Sequence, residues 1–105
     1  IHGNGNIGAI VELSCETDFV AKNEEFRSLA YDIAMQVAAT NPEFVGIEDI
    51  DAVGKGSADL AERALLEQPF IKDPSVAVRD LLTNAIQKFG ERISIRRFVR
   101  FSTGE

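Results

Sequence analysis

The sequence predicts an α+β domain, a small antiparallel sheet with helices packed on one face. Three observations lead there. Residues 7–15 and 91–102 alternate apolar and polar side chains, the period of half-buried strands. Residues 23–40 and 78–89 carry apolar side chains at i, i+3, i+4 and i+7, the period of amphipathic helices. The order is strand, helix, loop, helix, strand, with a further strand expected ahead of Ile7, and such runs suit an antiparallel sheet covered by helices.

The chain has 105 residues, the size of one domain, and 1–105 is read as a single unit. A chain of this length buries roughly two-thirds of its unfolded surface and folds without a metal or disulfide. At the front, His2-Gly3-Asn4-Gly5-Asn6 reads as a hairpin turn, because Asn-Gly favours positive φ. The first strand of that hairpin then lies mostly before Ile1, so the chain is expected to begin inside a supersecondary unit.

In the strand at 7–15, Ala9, Val11, Leu13 and Cys15 share one face, and Glu12 and Ser14 take the other. Ile10 breaks the alternation, which predicts a second face that is partly covered. A short helical turn is expected over 19–22, capped by Thr17 or Asp18. Asn23 then caps a long helix whose first turn holds Glu24 and Glu25, where the helix dipole favours acids. Phe26, Leu29, Ala30, Ile33, Ala34, Val37 and Ala38 form its buried stripe, and Arg27, Ser28, Asp32 and Gln36 its wet face. The helix should end by Asn41, since Pro42 restricts the residue before it.

Residues 42–59 show no period and read as loop, with a short strand near 44–47. A helical turn or two is expected over 59–66, and an extended or turned segment over 68–74 between Pro69 and Pro74. Val78, Leu81, Leu82, Ala85, Ile86 and Phe89 mark the second helix, and Gly90 stands where a left-handed residue ends it. In the closing strand Ile93 and Ile95 face one way, Ser94 and Arg96 the other. Phe98-Val99 shifts the phase, which predicts a bulge or a strand covered on both faces.

The composition excludes several functions. The net charge is −6, from 17 acids against 11 bases, which disfavours binding along a phosphate backbone. The basic run Arg92 to Arg100 reads as solvated strand residues or as partners for acidic helices. One His and one Cys offer no metal-ligand spacing. No P-loop, dinucleotide fingerprint or nucleophile elbow is present. Cys15 reads as a small apolar side chain on the inner face. As a nucleophile it is disfavoured, because Glu16 and Asp18 oppose a thiolate. No apolar run reaches the roughly 18 residues of a membrane span.

The junction between the first strand and the long helix places an acid, Asp18, beside a ring, Phe19, on a rigid base, an arrangement suited to recognition; the plainer reading of the same residues makes Phe19 core and Asp18 or Thr17 a helix cap. Its sequence, Thr17-Asp18-Phe19-Val20-Ala21-Lys22-Asn23, resembles the signature segment of the elongation factor Ts family. Leu65-Leu66-Glu67-Gln68-Pro69-Phe70-Ile71-Lys72-Asp73 resembles the family's Leu-Glu-Gln-Pro-Phe segment, and Gly90-Glu91-Arg92-Ile93 through Arg96-Arg97-Phe98 its closing strand. The resemblance implies the family's core or dimerisation domain, without its N-terminal helical domain and with a short span at 42–64. It implies a guanine-nucleotide exchange factor for elongation factor Tu in translation elongation, acting in the cytoplasm or in an organelle. Such a factor makes no bonds, has no catalytic residues, and needs no cofactor, nucleic acid or membrane. Its Asp and Phe, here Asp18 and Phe19 flanked by Thr17 and Val20, enter near the partner's Mg²⁺ and phosphates. In some members the core domain forms homodimers, so a purely structural or dimerisation module is the alternative.

Overall fold

Strands β1 (Ile7–Ser14) and β4 (Ser94–Ser102), far apart in sequence, pair antiparallel. The structure is a computed structural model and describes residues 7–46 and 60–102. The turn at 2–6, the segment 47–59 and the exit at 103–105 therefore lie outside the described residues.

Register runs from Ile7 opposite Ser102 to Glu12 opposite Arg97, then shifts so that Leu13 faces Ile95. Arg96 is the extra residue of a bulge. Before it, Ile93 and Ile95 are buried; after it, Phe98 and Arg100 turn inward while Arg97, Val99 and Phe101 turn out. One inserted residue exchanges the two faces, so the sequence shows a phase shift. The bulge lies at Arg96, just upstream of the Phe98-Val99 position expected for it.

The inner face of β1, with Ala9, Val11 and Leu13, and Cys15 just beyond it, packs on the core. Helix α2 (Glu24–Thr40) supplies Phe26, Ile33 and Val37 to that core, where they meet Leu65, Leu66, Val78, Leu82, Ile93 and Ile95. Phe26 and Phe89 meet edge to face with centroids 6.5 Å apart. The outer face departs from expectation. Ile10 and Val99 are a cross-strand pair, 63% and 55% exposed, and Phe101 is 51% exposed. Among the described residues nothing covers that side of the pair.

Asn23 caps α2, its Oδ1 accepting from Glu25 N at 2.7 Å, and Asn41 ends it in the left-handed region with φ 51°. Gln36 is not on the wet face, as its polarity predicts. It is fully buried, because three polar partners from the 68–71 segment meet it inside.

The short strand expected near 44–47 is, in the described part, one parallel bridge between Phe44 and Ala64. Helix α3 (Leu60–Arg63) and a 3₁₀ turn (Leu65–Glu67) follow. The Pro-bracketed segment forms β2 (Pro69–Phe70), which pairs antiparallel with β3 (Asp73–Ala77). The antiparallel strands thus make two small sheets, not one, and the fold is α+β. Helix α4 (Val78–Phe89) begins with Asp80 Oδ2 accepting from Ala77 N at 2.9 Å and ends at Gly90, φ 68°. Gly90 turns the chain toward β4 and sets up the loop that meets residues 16–17, just beyond the end of β1.

Candidate partner-binding site

Between β1 and α2 lies a one-turn helix, α1 (Asp18–Ala21). Thr17 caps it in an extended conformation, and its Oγ1 accepts from Val20 N at 3.4 Å. Ala21 N donates to Thr17 O, Lys22 N to Asp18 O and Asn23 N to Val20 O. Consecutive helical residues point about 100° apart. Val20 faces inward, 6% exposed and part of the core, so Phe19 is thrown outward and is 91% exposed. Asp18 is exposed beside it. Asp18, Phe19, Lys22 and Asn23 line a shallow depression.

The four residues expected at a partner surface therefore divide. Asp18 and Phe19 are presented to solvent. Thr17 is a cap with its hydroxyl engaged. Val20 is buried in the core and anchors the turn, because α1 needs one residue to dock it.

The turn is also held from the far end of the chain. Glu91 Oε1 accepts from Glu16 N and Thr17 N, each at 3.0 Å, and its Oε2 accepts from Thr17 Oγ1 at 2.5 Å. Glu16 Oε2 in turn accepts from Arg92 N at 2.5 Å, and Ser14 and Ser94 share a hydroxyl bond at 2.7 Å. The Thr17 hydroxyl holds the Glu91 carboxyl below its ordinary 4.5; partial desolvation opposes this, and the backbone N–H groups of Glu16 and Thr17 add to it. Nothing local in the sequence marks Glu91 or Glu16 as holding this turn. A contact across that much chain leaves no periodic trace; the only hint was that Glu91 lies in the closing family-like segment.

Cys15 packs on the core, and its thiol donates to Thr17 O at 3.3 Å. The basic run is dispersed: Arg97 pairs with Glu12 at 2.6 Å, and Arg100 Nε donates to Ala38 O at 3.0 Å. Among the described residues no cluster of three or more His, Cys, Asp or Glu could hold a metal, and no helix is long and apolar enough to cross a membrane.

The family model described as "Elongation factor TS" matches residues 1–54, which hold β1, α1, α2 and all four candidate residues. The chain belongs to the elongation factor Ts family. It is 48% identical to the elongation factor Ts of Carboxydothermus hydrogenoformans and 46% identical to that of Gloeobacter violaceus, in each case over all of this chain and 61% of the relative. The Moorella thermoacetica elongation factor Ts is 43% identical, again over the whole chain and 66% of the relative. The chain spans about three-fifths of the first two relatives' length. The first alignment runs over 133 positions against 105 residues here, so that elongation factor Ts carries residues inside the matched span that this chain lacks.

Proposed function

We propose that this chain is the part of a guanine-nucleotide exchange factor that enters elongation factor Tu and loosens its GDP, with Asp18 and Phe19 as the intruding pair. The observation that carries the reading is a ring 91% exposed beside an exposed carboxylate, on a turn whose backbone is fixed on both sides. A stiff base means little ordering is left for the moment of docking.

GDP is held largely through its phosphates and their Mg²⁺. A carboxylate brought there competes for the metal and repels the diphosphate, and an aromatic wedge displaces the groups that close over them. The Mg²⁺ belongs to the partner, and no bond is made or broken. Coupling is reciprocal: a factor that weakens GDP is weakened by GDP to the same extent, so incoming nucleotide expels it. Each ~1.4 kcal/mol of this coupling is about tenfold in affinity. The place of action on this reading is wherever translation elongation runs, the cytoplasm or an organelle.

The test is stopped-flow release of fluorescent GDP from elongation factor Tu by the full chain. The Asp18→Ala, Phe19→Ala double variant, with parent helicity, is expected to lower the maximal release rate by about 100-fold, as loss of two anchor residues does. Release at the parent rate contradicts the reading.

A second reading, a contact between two copies of this chain, draws support from the outward strip of Ile10, Val99 and Phe101. It predicts a mass that rises with concentration in sedimentation velocity, and a monomer at all concentrations for Val99→Lys. A parent that stays monomeric throughout removes it.

A further inference from the structure

We propose that Glu91 is the positioning residue of this site: reaching across from the α4–β4 connection, its carboxylate fixes the turn on which Asp18 and Phe19 stand. The role rests on the exchange reading given above. It also goes beyond that reading, since it has Glu91 act through Thr17 and Glu16 and not through contact with the partner.

Phe19 is almost wholly exposed, so its place in space is set by the backbone of α1. That helix has four residues, too few to hold its own conformation. Val20 docks it from beneath and Glu91 holds its entry. One carboxylate takes three donors, all on the two residues that precede Asp18: Glu16 N, Thr17 N and Thr17 Oγ1. A carboxylate has acceptor sites for all three. The Thr17 hydroxyl donates to Glu91 and accepts from Val20 N, so the hold passes into the first turn of α1. Glu16 returns the grip by accepting from Arg92 N. The two glutamates thus cross between 16–17 and 91–92.

Glu91 is itself placed by firm neighbours. Gly90 takes the left-handed conformation that ends α4, and Ile93 is buried in the core. The three donors favour the charged carboxylate, as its lowered pKa reflects. A glutamine keeps one acceptor oxygen for the two backbone N–H groups and an amide that can donate to Thr17 Oγ1. An alanine keeps nothing.

The experiment measures fluorescent-GDP release from elongation factor Tu against concentration of the full chain, for the parent, Glu91→Ala, Glu91→Gln, Phe19→Ala and the Glu91→Ala, Phe19→Ala double variant. Glu91→Ala is expected to lower the maximal rate about tenfold and to move the half-saturating concentration less than about threefold, since the rest of the docking surface is untouched. Glu91→Gln should return to within about threefold of the parent. In the Phe19→Ala background Glu91→Ala should add clearly less than in the parent, about threefold, because the turn then has only Asp18 left to place. A slow Phe19→Ala with a parent-like Glu91→Ala overturns the positioning role alone. The same full loss from Glu91→Ala in both backgrounds also overturns it. A parent-like Phe19→Ala removes the exchange reading, and the positioning role with it. Should Glu91→Ala fail to fold, amide hydrogen exchange in the parent decides: Glu16 and Thr17 N–H are expected to be protected, and exchange at open-loop rates overturns the proposal.

Discussion

Glu91 and Thr17 are joined by a charge-assisted bond of 2.5 Å, and Glu91 also accepts two backbone N–H groups. Its carboxyl therefore lies below 4.5, chiefly through the Thr17 hydroxyl. The sign of the pH effect follows. A depressed carboxyl contributes stability that is fully present above its unfolded value and is lost as pH falls through the folded one. The Glu16 carboxylate and the Arg92 backbone N–H face the same turn, and Asp73, lowered by its bond to Ser75, titrates elsewhere. Those groups are common to parent and Glu91→Gln, so the difference between the two isolates Glu91. The urea midpoint of the parent should fall more steeply than that of Glu91→Gln as pH drops below about 4.5. Equal slopes contradict the geometry around Glu91.

The long helix and the Pro69 segment are docked by one amide. Gln36 Nε2 donates to Gln68 Oε1 and Pro69 O, each at 3.0 Å, and its Oε1 accepts from Ile71 N at 2.9 Å. Thr40 Oγ1 also donates to Gln68 Oε1, and Gln68 Nε2 donates to Glu62 O. The network leaves no buried side-chain polar atom unpaired among the described residues. Gln36→Leu keeps much of the shape and strands Pro69 O and Ile71 N. It should destabilise the fold by about 2–4 kcal/mol in urea unfolding, since buried unsatisfied groups carry their full desolvation cost. A loss below about 1 kcal/mol would mean that water reaches the segment. At this scale the two long helices were legible, because Asn23, Gly90 and the apolar stripes are local signals. Gln36 was misread, because polarity marks the wet face only when no partner waits inside. The β2–β3 pair and the Arg96 bulge were blurred for a related reason. Pairing is settled by distant strands, and a phase shift locates a bulge only to within a residue or two.

In the molecule as a whole, the two ends of the described chain are brought together as one sheet, and the candidate site sits at the rim of that sheet. The strand-to-helix junction was legible in the sequence, but the choice between Phe19 and Val20 for the core was not, since both are apolar neighbours on one helical turn and only packing decides which is buried. The hold from Glu91 was not legible either, since it depends on how β4 returns beside β1. The burial of Val20 divides the signature in two, with one part facing solvent and the other supporting it. On the proposed reading Phe19 reaches the nucleotide site of elongation factor Tu. This is tested most directly by replacing Phe19 with the photo-crosslinker p-benzoyl-phenylalanine in the full chain and irradiating it with nucleotide-free elongation factor Tu. Crosslinks are expected to peptides that line the nucleotide site, suppressed by excess GDP and Mg²⁺. Crosslinks confined to this chain, or to another copy of it, would contradict the account.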